Sequence, residues 1–394
     1  MRKRGCVYLD YQATTPVDPR VVEAMQPYFF DFFGNAASRQ HAFGREAEQA
    51  VETAREQIAA LINARPEEII FTSGATESNN LALQGLMQYF PEKHVVTSAV
   101  EHPSVLACCQ YLHMQGHGVT YVPPDAQGRI APHAVAAAMT PETGLVSVMY
   151  ANHEVGTINP VALIAQVARA RQVAFHTDAT QAVGKISVDV QRDHIDLMSF
   201  SAHKLYGPKG MGALFVRRGD PELRLAPLLH GGGHEQGLRS GTLNVAGIVG
   251  FGLACEICAQ EMDSEAQRLR GLRDELAQRI IAAVPQVTIN GHPNERLPGN
   301  LNISFAHVDA EALMMALTDV AVSSGAACAS LGQKASTVLT AMGLSERQIK
   351  GSIRFGIGRF SSSDDIQYVA RRVIEAVAVL REQSPLWRLE QDRS

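Results

Sequence analysis

Through roughly the first 220 residues, short apolar runs alternate with longer segments of helical period, a texture that few folds can satisfy. The runs at 69–71, 94–97, 145–150, 173–176, 197–200 and 213–216 are apolar or nearly so, which suits strands covered on both faces. Between them, 77–90, 103–114 and 160–171 have helical spacing. Buried strands joined through helices predict an α/β fold, a mostly parallel central sheet with helices on both faces. Beyond that the texture changes. Residues 245–283 read as one or two long helices. Strands at 301–305 and 352–355, helices at 310–317, 335–342 and 364–383, and a Gly/Ala/Ser-rich stretch at 323–330 follow, which predicts a smaller α+β unit. The expected division is a large domain over 15–255 and a small one built from 1–14 and 256–394.

Composition narrows the function classes. Hydrophobic residues make up 46%, charged residues 19%, and the net charge is −5, so neither nucleic acid nor an anionic membrane is an expected partner. The longest apolar run, 246–258, is interrupted by Glu256 and is too short to span a bilayer. The basic start Met1-Arg2-Lys3-Arg4 is followed only by Cys6-Val7-Tyr8-Leu9 before Asp10, too little for a signal peptide. Six cysteines in a chain of this length do not make a disulfide framework, and a cytoplasmic setting is expected.

Three pieces carry chemistry. Ser201-Ala202-His203-Lys204 follows a predicted strand, so Lys204 should emerge at the carboxyl edge of the sheet, where α/β folds bind ligands. A partly desolvated amine there can form a Schiff base with an aldehyde, although a lone lysine more often sits in a surface turn. Asp178 ends the preceding strand in His176-Thr177-Asp178. A carboxylate at that edge can pair with the ring nitrogen of pyridoxal phosphate and keep the ring an electron sink, whereas alone it would read as an N-cap. Phe71-Thr72-Ser73-Gly74-Ala75-Thr76-Glu77-Ser78 runs from strand through glycine into helix, aiming free N–H groups at an anion. It lacks the Gly-Lys-Ser/Thr of a Walker loop, and alone could be an ordinary capped turn. Together, in this order on one sheet edge, the three are far more specific than any one.

Further motifs extend the pattern: 9–16 (Leu-Asp-Tyr-Gln-Ala-Thr-Thr-Pro), Gly34-Asn35-Ala36-Ala37-Ser38, Glu101-His102, Asn152-His153-Glu154-Val155-Gly156, 230–243 and 323–330. With them the chain resembles the fold-type I pyridoxal-phosphate enzymes of the class V aminotransferase group, and within that group the cysteine desulfurases of the NifS/IscS type. The resemblance implies that Lys204 holds pyridoxal 5'-phosphate covalently and serves as the base at the substrate Cα, and that Asp178 meets the ring nitrogen. It implies that His102 stacks on the ring and helps move protons, and that Gln181 bonds the ring oxygen. Ala75, Thr76, Ser201 and His203 would surround the phosphate, and Asn152 would line the cofactor and substrate pocket. Thr242, in Arg239-Ser240-Gly241-Thr242, would reach the cofactor phosphate of the partner subunit, which requires a homodimer.

Cys328 is implied as the nucleophile that takes sulfur from L-cysteine, releasing L-alanine and carrying a persulfide to an acceptor protein such as an iron–sulfur scaffold, or toward tRNA or cofactor thiolation. It lies among small residues in a long loop, with Ala326 where the family usually has Ser. Arg354 would hold the substrate carboxylate, whereas Arg359 reads as a surface or structural arginine. Ser384-Pro385-Leu386-Trp387 matches the housekeeping iron–sulfur branch, after which the tail departs from it. Cys108-Cys109 and Cys255-x-x-Cys258 fall in apolar helical patterns and read as packing. No metal site is expected, beyond passing contact of a Cys328 persulfide with a cluster on a partner. The competing functions are a selenocysteine lyase or related lyase on the same cofactor residues, and a catalytically silent scaffold.

Overall fold

The structure, a computed structural model, describes residues 2–3, 5–90, 93–219, 223–324 and 336–391. Its central sheet has seven strands in the spatial order Ile69–Thr72, Gly212–Val216, Leu197–Ser201, Ala174–Asp178, Thr143–Ser147, His94–Ser98, Val119–Val122. Gly212–Val216 is antiparallel to both neighbours, and every other adjacent pair is parallel. The carboxyl ends of six strands therefore share one edge.

Successive residues of these strands enter different cores, which is why the runs lack a polar face. Ile70, Val95, Leu145, Leu197 and Leu214 pack with Leu81, Val105 and Cys108 of the helices Ala75–Met87 and Pro103–Met114. Phe71, Val96, Val146, Met198 and Phe215 face the opposite way, onto Ala42–Leu61, Val161–Ala170 and the first half of Val245–Ala283.

Two boundaries move for local reasons. The strand expected over 145–150 ends at Ser147, because the Met149 amide turns out of the ladder to the Glu101 carboxylate at 2.8 Å. The helix expected from 77 begins at Ala75, directly after its N-cap Gly74. The helix Ala42–Leu61 had no counterpart in the sequence reading, although its buried stripe, Ala47, Val51, Ala54 and Ile58, has helical spacing.

Val245–Ala283 is one continuous helix of 39 residues. Length and composition alone would let it cross a membrane, yet 61% of its most apolar window is buried inside the protein, as in a core helix. Its residues up to Cys258 join the large core, while Leu269, Leu272, Leu276 and Ile280 join a second core with Val7, Leu9, Ile303, Phe355 and Val373. That second core covers an antiparallel sheet ordered Val287–Asn290, Asn300–Phe305, Ser352–Gly356, Ser323–Ser324. Cys6–Tyr8 is drawn to this side by parallel pairing with Val320–Ala321. Val338, Leu339 and Met342 pack instead into the large core. We infer that the division between the two units falls within the long helix, between Cys258 and Leu269.

The crossing of the long helix over Ala42–Leu61 depends on Gly252, where a Cβ would sit 2.6 Å from the Ala54 Cα. Gly271, on the same helix, has nothing within 4 Å of its would-be Cβ. Gly252→Val should lower stability by about 1–3 kcal/mol through overpacking. Gly271→Ala should raise it by a few tenths of a kcal/mol up to about 1 through helix propensity. Thermal denaturation of the two variants reads the opposite signs directly.

Candidate active site

Asp178 closes its strand, and register pairs it with Ser199 on the neighbouring strand, just ahead of the segment that carries Lys204. Only 4% of Asp178 is exposed. Its Oδ2 accepts from Asn79 Nδ2 at 2.8 Å, and its Oδ1 accepts from the Thr180 amide at 3.0 Å. Asn79 also donates to Ser104 Oγ at 2.8 Å, and Ser104 Oγ lies 2.8 Å from His102 Nδ1. Asp178 and His102 are thus braced through the same two side chains. His102 caps the helix Pro103–Met114 by accepting from the Ser104 amide. Burial lowers its pKa against the pull of Asp178, with Lys204 adding to the lowering, so the imidazole is neutral at neutral pH. Its ring meets that of His153 edge-on, centroids 5.4 Å apart. Burial holds His153 well below the usual histidine range, with His102, Arg354 and Lys204 adding to it.

Lys204 leaves the sheet in the short 3-10 turn Ala202–Lys204 and is half-buried. Its Nζ donates to the Gln12 carbonyl at 2.7 Å and to the Ala13 carbonyl. Gln181 Nε2 donates to the same Gln12 oxygen at 3.0 Å. His203 Nδ1 lies 3.0 Å from Thr14 Oγ1, and burial, helped by Lys204, Lys209 and Lys185, pushes its pKa down to about 4. Ser201 Oγ donates to the Met211 carbonyl at 3.2 Å.

The anion cup has a backbone reason to be there. Gly74 has φ +155°, a conformation that side chains disfavour. A Cβ on Gly212, across the sheet, would lie 2.5 Å from the Gly74 Cα, so the turn closes only over a glycine pair. Ala75 and Thr76 then start a helix whose first-turn amides have no partner within it. Glu77 braces the turn, accepting from the Ser73 amide at 2.8 Å and from Arg239 Nε at 3.0 Å. Arg239 thereby places its segment beside the cup, while Thr242 itself is exposed.

Arg354, on Ser352–Gly356, pairs with Asp10 through Nη2 at 2.8 Å and donates from Nη1 to the His153 carbonyl at 2.9 Å. Its Nε is buried, with no partner among the described residues. Asn152 is fully buried: its Oδ1 accepts from the Glu154 and Val155 amides, both at 2.9 Å, and its Nδ2 donates to the Val100 carbonyl. These bonds fix the turn that carries His153. Arg359 is structural and interior, bonded to Asp18 and Glu265 at 2.8 Å each and stacked 4.2 Å over Tyr206. Cys328, Ala326 and their loop over 325–335 lie outside the described residues. Cys108 and Cys258 are buried, and burial pushes both thiols up to about 11, as packing cysteines require. Among the described residues no group of His, Cys, Asp and Glu side chains could hold a metal.

Thr180 Oγ1, Asn79 Oδ1, Gln12 Oε1 and Arg354 Nε are buried polar atoms with no partner among the described residues. They belong to the residues that surround Asp178 and Lys204. A buried carboxylate, an amine, an amide-lined cup and polar atoms awaiting partners are the donor set that pyridoxal phosphate needs, so the residues present fit it.

Sequence reasoning gave no role to Asn79, Asp10, Glu101 or Ser104. The detectable signal was the spacing Ser98-x-x-Glu101 beside His102. Glu101 Oε1 accepts from Ser98 Oγ at 2.6 Å and from the Met149 amide at 2.8 Å, and burial pushes its pKa up to about 8. The native state therefore keeps a proton that the unfolded chain releases near its ordinary 4.5. This contribution is lost as pH rises from there through about 8, at up to ~1.4 kcal/mol per unit. Glu101→Gln should remove that slope: between about pH 7 and 8 its urea midpoint should fall less than the parent's. Equal slopes would mean that Glu101 is already ionised.

Class-V aminotransferases match this chain over residues 7–369. A cysteine desulfurase IscS of Anaeromyxobacter sp. (strain K) is 53% identical over 388 residues, 98% of this chain and 96% of that one. A solved NifS-like protein superposes with a TM-score of 0.88 at 35% identity, covering 95% of this chain and 100% of that one. A second solved structure, SspA in complex with cysteine, gives 0.80 at 37% identity, covering 90% and 100%. The match runs through both units described above, and the chain belongs to the class-V aminotransferase family.

Proposed function

We propose that this chain is a pyridoxal-phosphate-dependent cysteine desulfurase, taking sulfur from L-cysteine, releasing L-alanine and leaving a persulfide on Cys328 for an acceptor. The observation that carries it is the gathering of Lys204, Asp178, a neutral His102 and the half-paired Arg354 around one sheet edge. A relative of more than half identity is named cysteine desulfurase IscS, and a solved neighbour is described in complex with cysteine.

Bound pyridoxal phosphate supplies an electron sink for the substrate's Cα and Cβ bonds. Lys204 would hold it, Asp178 would meet its ring nitrogen, and Gln181 would bond its ring oxygen. Ala75, Thr76, Ser201 and His203 would hold its phosphate, and Thr242 of the partner subunit would join them. Arg354 Nε faces the substrate carboxylate, a guanidinium pairing that carboxylates favour, and Asn152 shapes the pocket wall. Lys204 Nζ, released from the Gln12 and Ala13 carbonyls, takes the Cα proton. His102, kept neutral, can accept a proton at its imidazole or pass one on. Cys328 Sγ, as thiolate, bonds to the substrate sulfur while the Cβ–S bond breaks. The electron pair stays with the carbon skeleton, which takes up protons and leaves as alanine. The persulfide then passes to an acceptor protein such as an iron–sulfur scaffold. A free catalytic thiol suits a reducing cytoplasm, and Cys6, Cys108, Cys109, Cys255 and Cys258 are free thiols as well.

The homodimer that Thr242 requires has a surface to form on. Phe30 and Phe33 are 73% and 66% exposed, with Phe29 and Phe43 beside them in sequence or ring contact. Exposed aromatic rings of this kind favour an interface.

Cys328→Ala should keep the cofactor's visible absorbance and lose cysteine turnover by about a hundredfold or more. Undiminished turnover of cysteine would overturn the persulfide route, and turnover of selenocysteine alone would favour a selenocysteine lyase. Phe30→Asp with Phe33→Asp should sediment as a monomer and lose activity together with the dimer; a fully active monomer would exclude a shared site.

A further inference from the structure

Lys185 takes no part in the chemistry above. It follows Gly184 in the turn after the Asp178 strand, and its Nζ donates to Gln181 Oε1 at 2.7 Å. It borders a cavity of about 20 Å³, room for about one water, together with Tyr11, Tyr206 and Glu265. Among the described residues no carboxylate lies within ion-pairing distance of it. Lys204 and Arg354 repel its charge, while Cys258 and Glu265 attract it more weakly. Burial, with those two cations, pushes Lys185 down to about 7. An ammonium so placed opposes folding, since it is desolvated among like charges. What it contacts is Gln181.

The two ends of a glutamine amide have nearly the same shape and opposite hydrogen-bonding character. Lysine, when protonated, only donates, so Lys185 selects the oxygen end. With Oε1 held there, Nε2 has to face the other way, where it donates to the Gln12 carbonyl at 3.0 Å. That carbonyl also accepts from Lys204 Nζ at 2.7 Å. An unbroken line of hydrogen bonds therefore runs from Lys185 through Gln181 and Gln12 to Lys204.

We propose that Lys185 is a positioning residue of this site, its ammonium form holding the Gln181 amide so that it presents an N–H rather than a carbonyl toward Lys204 and the ring oxygen of bound pyridoxal phosphate. The inference rests on the cofactor reading given under the proposed function. Without Lys185 the Gln181 amide is free to turn over, and an oxygen facing the ring oxygen disfavours its ionised form. Loss of the nearby cation acts in the same direction.

Lys185→Met should therefore raise the midpoint of the bound cofactor's visible-absorbance pH titration by about one unit and weaken pyridoxal-phosphate retention about tenfold. Lys185→Arg, which keeps a cationic donor, should restore most of both. In a Gln181→Ala background the same Lys185→Met change should add little, because its effect passes through Gln181. Where Met does not fold, Lys185→Ala, which only enlarges the cavity, takes its place. An unmoved midpoint in Lys185→Met, or an equal shift with Gln181 already gone, overturns the inference alone. A parent protein that shows no cofactor band overturns the cofactor reading and this inference with it.

Discussion

The hydrogen bond from Asn79 to Asp178, continued through Ser104 to His102, ties together three stretches of chain. Asp178 ends a buried strand, Asn79 belongs to the helix that starts at the glycine cup, and Ser104, next along, holds His102. A carboxylate this deep needs donors fixed by the fold, since leaving one unpaired costs several kcal/mol. Supplying them draws the cup helix and the His102 helix to the same edge. Parallel strand order does the rest, bringing Lys204 out on the neighbouring strand. The position of the site is thus a consequence of how one buried charge is satisfied.

Desolvation sets the protonation pattern around that charge. His102, His153 and His203 are lowered, and Glu101 and Glu154 are raised, with burial the largest cause in each. In each of these five residues burial favours the neutral form. Glu154 Oε2 accepts from Ser336 Oγ at 2.8 Å, which ties the pocket wall to the start of the helix Thr337–Ala341. The Glu154 carbonyl accepts from Asn300 Nδ2 at 3.2 Å and Asn302 Nδ2 at 3.4 Å on the strand Asn300–Phe305, so the pocket wall and the small sheet are coupled through side chains as well as through the long helix that both cores share.

Much of this was legible in the sequence for physical reasons. Strands buried on both faces must be continuously apolar, and Leu197–Ser201 and Gly212–Val216 are buried at every position. Lys204, Asp178 and Gly74 stand directly after such runs, so their place at one edge followed from strand polarity. Ala42–Leu61 was detectable and was overlooked: its buried Ala47, Val51, Ala54 and Ile58 recur at helical spacing. Asn79 and Ser104 gave no signal, since their importance is a distance of 2.8 Å between residues far apart in the chain. Asn152 was expected as a pocket contact, yet its amide is engaged at both ends by main-chain groups. Periodicity gives a side chain's place along an element, whereas hydrogen-bond partners depend on tertiary contacts.

The central claim is that Lys204 is the amine that holds the cofactor, and reductive trapping tests it most directly. Borohydride treatment of the pyridoxal-phosphate-loaded protein, followed by peptide mass mapping, should place a stable cofactor adduct on Lys204. Lys185 is the informative alternative, because it lies in the same hydrogen-bonded line and burial brings it down to about 7. An adduct on Lys185 or on any other lysine, with Lys204 unmodified, would contradict the account.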